Sequence, residues 1–178
     1  MKKVVLTLAA VALFPLASFG QASMGKNPVS DAVRSILERQ SKNLIGAAEE
    51  MPADKYSYRP TPEQMTFAHL VAHIAGSNNF LCSKISGTSA PSGEKLSDTD
   101  PKDKLVAAVK ASFEYCTTSL AKVDDSNLSE ELTLFGGRKM TRAAAMIALT
   151  DDFADHYSAA ASYLRLNGLL PPTAQKKD

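Results

Sequence analysis

A long amphipathic helix near the C-terminus constrains the fold of this 178-residue chain more than any other stretch. Residues 141–172 begin with Thr141, which is suited to cap a helix, and end with an Asn-Gly pair and two prolines that stop one. Between these signals, apolar residues recur at helical spacing and predict a buried stripe: Met146, Leu149, Phe153, Ala160, Tyr163 and Leu164. Such a helix must pack this stripe against other elements.

Three further amphipathic helices are predicted from the same spacing of apolar residues. They cover residues 28–51, 66–86 and 101 to about 123. Ser30 and Asp100 are the expected N-caps of the first and third of these helices, and Gly87 is the expected stop of the second. Four helices without a convincing strand predict an all-α fold, a four-helix bundle with long crossover connections.

The connections differ in character. Residues 52–65 are too rich in proline for a regular helix, and we expect an ordered crossover in which Tyr56 and Tyr58 pack onto the bundle. Residues 124–140 have a mixed pattern, in which residues 129–140 predict a short turn of helix and an irregular loop and the pair Gly136-Gly137 indicates a turn.

The first 22 residues differ from the rest of the chain. Lys2 and Lys3 precede a short apolar run from residue 4 to residue 14, and small residues follow it up to Ala22. This pattern predicts a cleaved signal peptide at residues 1–22, and residues 23–178 then form a single domain. We therefore expect a secreted or periplasmic protein without a stable membrane anchor after cleavage. With 20 basic and 19 acidic residues, the chain has no charge excess that would favour nucleic acid as a partner.

Two cysteines, Cys82 and Cys116, are present. In an oxidising compartment they would pair and tie the second helix to the third. Two buried free cysteines remain the alternative, since an unpaired cysteine packs as a small apolar residue.

The three histidines suggest a metal site. His69 and His73 are four residues apart on the second helix, and Asp152 and His156 have the same spacing on the last. Side chains four residues apart leave one face of a helix, and helical bundles build metal sites from such groups on facing helices. His73, Asp152 and His156 would hold a divalent ion such as Zn, Ni, Fe or Mn and leave positions open for substrate. Histidines at the surface or in satisfied, partly buried positions are the alternative.

Three parts of the chain resemble a known family, and one of them is Cys82 together with the segment Phe113-Glu-Tyr-Cys116, which resembles some of its members. Residues 52–78 resemble the proline-rich crossover and histidine-bearing helix of the DinB-like family, and His73 falls on its metal-binding histidine. The ending Ser-Tyr-Leu-Arg-Leu-Asn-Gly at residues 162–168 resembles the end of the family's last helix. Counting back from it places the two remaining ligands at Asp152 and His156. The family usually has histidine at the first of these positions, so Asp152 is a departure that adds one negative charge.

The resemblance implies a four-helix-bundle metalloenzyme, and it leaves His69 as a further ligand, a supporting residue or a surface residue, of which we favour the last two. Relatives include enzymes that use low-molecular-weight thiols, which become nucleophilic when a metal lowers their pKa. We therefore expect a divalent-metal-dependent hydrolase or thiol transferase acting on an unknown small molecule, with no catalytic residue assigned beyond the ligands. The alternative is a non-catalytic metal- or ligand-binding bundle whose site has degenerated. A homodimer is compatible with either.

Overall fold

The computed structural model describes residues 25–176 and confirms the all-α bundle. Its four helices are α1 (Pro28–Glu50), α2 (Phe67–Ser86), α3 (Lys102–Leu120) and α4 (Arg142–Leu166). The signal peptide predicted at residues 1–22 lies outside the described residues. Within those residues, no helix is both long and apolar enough to cross a membrane.

The order and direction of the helices require a crossover. Helices α2 and α3 are joined by the Asn78–Ser112 hydrogen bond and by the Cys82–Cys116 disulfide. From the first link to the second, both helices move toward their C-terminal ends, so they are parallel neighbours. Helix α4 runs antiparallel to α2, because Phe67 at the start of α2 packs on Tyr163 near the end of α4. Helix α1 lies between α3 and α4 and runs antiparallel to α3. The connection between α2 and α3, residues 87–101, therefore returns along the bundle.

Local sequence signals place most helix ends. Thr66 caps α2 by accepting a hydrogen bond from the backbone of His69, and Thr141 caps α4 by accepting one from Ala144. Gly87 ends α2 in the left-handed conformation, with φ of 72°, which glycine adopts without steric cost. The predictions for Thr141 and Gly87 are confirmed, whereas the cap at Thr66 was not predicted.

The prediction that Asp100 caps α3 was wrong. Pro101 is extended, with ψ of 150°, and α3 begins only at Lys102. The Asp100 carboxylate instead accepts a hydrogen bond from the backbone of Ser97 at 2.9 Å and pairs with Lys104 at 3.0 Å. It is thus occupied by the turn that precedes the helix.

The cap of α1 comes from a distant part of the chain. The expected cap, Ser30, lies inside the helix, because Pro28 occupies the first helical position and needs no N–H partner. The carboxylate of Asp125 accepts hydrogen bonds from the backbone of Val29 and Ser30, at 2.8 and 2.9 Å, and from the Ser30 hydroxyl. Burial raises the pKa of the Asp125 carboxyl, but these hydrogen bonds and the charge of Arg34 outweigh burial and hold that pKa below its usual value.

Residues 131–141 form a β-hairpin where a helical turn and loop were predicted. Strands β1 (Glu131–Thr133) and β2 (Lys139–Thr141) pair antiparallel, with Leu132 opposite Met140. Leu132 and Met140 are partly buried against the core, whereas the residues on either side of each are exposed. Gly136 and Gly137, with φ of 63° and 77°, allow the chain to reverse between the strands.

The bundle has one apolar core. All six residues of the predicted α4 stripe are buried in it, together with Cys82 and Cys116, which are fully buried. These two cysteines form a disulfide that joins α2 to α3, which confirms the predicted pairing over two free cysteines.

The proline-rich crossover packs onto the bundle through its two tyrosines, as predicted. Tyr56 is 5% exposed and meets Phe67 edge-on, and Tyr58 meets Tyr163 in the same way. The Tyr56 hydroxyl donates a 2.6 Å hydrogen bond to the carbonyl of Ala48. That carbonyl belongs to the last turn of α1, where carbonyl groups lack a partner within the helix.

Replacing Tyr56 with Phe should therefore destabilise the protein by about 1–2 kcal/mol, because a buried carbonyl loses its donor. The free energy of unfolding, measured by urea denaturation, is the test. Tyr58→Phe is the matched control, since the described residues offer its hydroxyl no hydrogen-bond partner. Equal stability of the two variants would contradict this role for Tyr56.

Candidate functional site

Asp152 and His156 form a partly buried pair on the inner side of α4. The His156 side chain is 9% exposed and that of Asp152 is 24% exposed. The Nδ1 atom of His156 lies 3.2 Å from Oδ2 of Asp152, but the two atoms are not aligned as a hydrogen bond. Both atoms are buried and lack any hydrogen-bond partner among the described residues. Buried polar atoms in this state are uncommon in folded proteins and call for an explanation.

His73 reaches this pair from α2. Its ring packs edge-on against the ring of His156, with 5.0 Å between the centroids. Burial lowers the pKa of His73, as do the neighbouring His156 and His69, while the Asp152 carboxylate opposes them. The net lowering favours the neutral imidazole, which is the form that binds metal ions. The structure thus brings the three predicted ligands together.

The three side chains do not form a closed ligand set as they stand. Among residues 25–176, no group of three His, Cys, Asp or Glu side chains converges on a point that could hold a metal ion. The donor chemistry nevertheless fits a divalent cation, because a carboxylate oxygen and an imidazole nitrogen lie 3.2 Å apart and have no hydrogen-bond partners among the described residues. The ligand assignment therefore stays a prediction.

The neighbouring aspartates on α4 and the second histidine on α2 are all exposed, but only the histidine lies beside a cleft. Asp151 and Asp155 are exposed on α4, on either side of the partly buried Asp152. His69 is exposed one turn before His73 and lines the same cleft.

That cleft has a volume of about 870 Å³ and lies over α2 and α3. The crossover between these helices, at residues 91–98, forms its outer wall. Its floor is made of small residues from both helices: Ala72, Ala75, Gly76, Ala108 and Ala111. Asn79 and Ser112 add polar groups. The cleft adjoins the candidate metal centre through His73, which belongs to both.

The sequence reasoning missed this cleft. Its signals were a glycine inside a helix, three residues after His73, and the polar pair Asn78-Asn79 within an apolar stripe. A second cleft, of about 530 Å³, lies toward the opposite end of the bundle near Arg142 and Lys122, and none of the predicted ligands lines it. We therefore associate the candidate chemistry with the first cleft.

The fold and the site together define a four-helix bundle with histidine and carboxylate side chains gathered between two of its helices. Residues 36–160 match the family model of the DinB superfamily. The chain belongs to this superfamily.

Solved structures agree with this assignment. A DinB-like protein from Bacillus subtilis is 23% identical and superposes with a TM-score of 0.66, covering 82% of this chain and 99% of its own. A DinB-like protein from Bacillus cereus is 15% identical, with a TM-score of 0.66, and covers 80% of this chain and 95% of its own. A mycothiol-dependent maleylpyruvate isomerase is 15% identical with a TM-score of 0.60, and the similarity covers 72% of this chain but only 59% of the isomerase. At these identities the similarity shows the fold alone. The search of curated proteins gave no match.

Gly76 gives a first test of the cleft's geometry. A Cβ atom built at Gly76 meets no other atom within 4 Å, so the position opens onto free space. Gly76→Ala should then stabilise the protein by about 0.5–1 kcal/mol, because alanine loses less backbone entropy than glycine in a helix. Urea denaturation measures the difference. In the control Gly46→Ala the new Cβ would lie 3.0 Å from Cγ of Pro172, so a smaller gain or a loss is expected. A loss of stability in Gly76→Ala, or a smaller gain than in Gly46→Ala, would argue against an open cleft floor.

Proposed function

We propose that this protein is a divalent-metal-dependent enzyme that acts on a small molecule, with His73, Asp152 and His156 as the metal ligands. The observation that carries the proposal is the pair of buried atoms without partners, Nδ1 of His156 and Oδ2 of Asp152. A cation between them would provide the electrostatic partner that both atoms lack. Membership of the DinB superfamily supports this interpretation.

His73 would complete the ligand set by turning its ring toward the pair. Its side chain is exposed on the cleft side, so the rotation is not blocked by core packing on that side. The ligand types suit Zn, Ni, Fe or Mn. When bound, such an ion lowers the pKa of a coordinated water or thiol and so supplies a nucleophile at neutral pH.

The residues around the ligands define the remaining roles. His69 lines the cleft beside His73, whereas Asp155 is exposed on α4 and does not line it. Of these two groups, His69 is therefore better placed to accept a proton from a substrate in the cleft. For an exported protein, hydrolysis is favoured over thiol transfer, because cytosolic thiols are scarce outside the cell.

Metal analysis tests the proposal. Protein purified without chelator should contain about one divalent ion per chain, measured by inductively coupled plasma mass spectrometry. His73→Ala and Asp152→Ala should weaken metal binding by more than about 10–100-fold, the usual cost of losing only a supporting residue around a metal. Asp152→His should retain the ion, since imidazole binds the same metals.

Two controls match these variants. Asp155→Ala removes an exposed carboxylate from the same helix, and His69→Ala removes an exposed histidine from the same face of α2; both should keep the full metal content. A wild-type protein without stoichiometric metal, together with ligand variants that behave like these controls, would favour the second candidate function. That candidate is a non-catalytic bundle with a degenerate site, and it is favoured by the absence of a third converging donor among residues 25–176.

We also propose that the protein is exported and that residues 1–22 are removed. The Cys82–Cys116 disulfide supports this proposal, because such bonds persist mainly in oxidising compartments. Intact-mass analysis of the protein from the periplasm or the culture medium should give the mass of a chain that begins close to residue 23. A full-length chain confined to the cytoplasm would contradict it.

A further inference from the structure

The outer face formed by α1 and α4 carries an open groove with apolar side chains. The groove has a volume of about 670 Å³ and lies between the two helices. Ile36 lines it from α1, and Ala144, Ile147 and Ala148 line it from α4. None of the three candidate metal ligands lines this groove. It is therefore a separate surface from the proposed metal site.

The first two turns of α4 are uncharged on every side. Residues 143–150 contain no charged side chain, and all of them except Thr150 are apolar. Met146 and Leu149 are buried in the core, whereas Ile147 is 66% exposed. No other large apolar side chain among residues 25–176 is as exposed as Ile147. Because a surface helix normally carries polar residues on its outer side, this pattern is typical of a helix that is covered on both sides.

The groove also carries one charge of each sign. Arg39 lines it from α1 and Asp151 lines it from α4, and both side chains are exposed. Neither has an opposite charge within 4.0 Å among the described residues. Glu38 and Lys42, the charged neighbours of Arg39 on α1, neutralise each other in an ion pair, and Asp155 adds one exposed negative charge a turn beyond Asp151. An accessible cation and an accessible anion thus lie on opposite sides of an apolar groove.

This face is complementary to itself. A two-fold axis through the middle of the groove would place Arg39 of one copy against Asp151 of the other, and the same pair would form again on the other side of the axis. Ile147 and Ile36 would lose their contact with water. Ala144 and Ala148 have small side chains, which allow the helices of two copies to approach closely.

The face is also large enough for a stable dimer. Helix α4 has 25 residues, so it is about 37 Å long, and two adjacent helices are about 20 Å wide. Their outer face therefore covers roughly 700 Å², which is close to the roughly 800 Å² that each partner buries in a standard protein interface. Its area and its paired charges both suit a second copy of this chain.

We propose that the groove between α1 and α4 is a homodimer interface, with Ile147 in its apolar part and two reciprocal ion pairs between Arg39 and Asp151. The interface goes beyond the proposed function, because it contains no candidate metal ligand and forms whether or not a metal is bound. It accounts for the exposed apolar side of α4, which the bundle of a single chain leaves in water.

Analytical ultracentrifugation of the purified protein over a range of concentrations tests the interface, and we expect the mass of two chains at the upper end. Ile147→Lys should raise the dimer dissociation constant by at least about 100-fold, because it places two charges in an apolar contact. Its far-UV circular dichroism should match the wild type, since Ile147 is exposed. Leu166→Lys is the matched control: Leu166 is 60% exposed on the same helix but does not line the groove, so this variant should dimerise like the wild type.

Charge reversal separates contacts between two copies from effects within one chain. Arg39→Glu and Asp151→Lys each bring like charges together twice in the dimer, so each variant alone should dimerise at least about 10-fold more weakly. An equimolar mixture of the two variants restores opposite charges in both pairs and should form a heterodimer about as tightly as the wild type. A change in the fold of either chain could not produce this recovery.

Three results would overturn the inference: the wild type stays monomeric at the highest concentration, Ile147→Lys dimerises like the wild type, or the mixture of charge variants dimerises no better than either variant alone. The second result would place any dimer on another face. The metal content of each protein is measured in parallel. A monomer with full metal content counts against the interface alone, whereas a dimer without metal counts against the proposed enzyme and supports the interface.

Discussion

The parallel packing of α2 against α3 is the constraint on which the rest of the structure depends. The Cys82–Cys116 disulfide and the buried Asn78–Ser112 hydrogen bond fix both the direction and the register of this pair. A helix of 20 residues such as α2 is about 30 Å long, so the chain must travel that distance before α3 can begin. The 15 residues of the 87–101 connection reach about 50 Å when extended, which is enough.

This crossover has a functional consequence. Because it returns along the α2–α3 pair, its residues 91–98 lie over the face that carries His69, His73 and Gly76. An antiparallel pair could be joined by a short turn, which would leave that face open to solvent. The wall of the cleft is therefore a result of helix direction, and the small residues beneath it give the cleft its depth.

The position of the candidate metal ligands depends on the register between α2 and α4. Phe67 packs on Tyr163, and α2 and α4 run in opposite directions from that contact. His73 lies six residues after Phe67, and His156 lies seven residues before Tyr163, so the two histidines meet. A shift of one helical turn would move them about 5 Å apart along the axis. The proline-rich crossover also stabilises the register between α2 and α4, because its Tyr58 packs on Tyr163.

The sequence predicted those features that depend on neighbouring residues. The cap at Thr141, the stop at Gly87 and the buried stripe of α4 follow from local sequence and were confirmed. The Asp125 cap of α1 joins residues 95 and 96 positions apart and leaves no local signal. The short β-hairpin and the cleft likewise arise from packing between distant segments. Local patterns could therefore identify the ligand candidates but could not show what surrounds them.

The aspartate at position 152 is the departure from the family pattern, and its surroundings indicate how it is best understood. A buried polar atom without a partner costs about 1–3 kcal/mol, and this pair contains two such atoms, Oδ2 of Asp152 and Nδ1 of His156. Leucine or alanine would fill such a position without that cost, as those residues do elsewhere on the inner face of α4. A pair retained only for stability would also be aligned as a hydrogen bond, whereas these atoms are 3.2 Å apart and misaligned. The proposed metal site would give these two atoms a shared third partner, because a carboxylate and an imidazole can both bind a divalent cation.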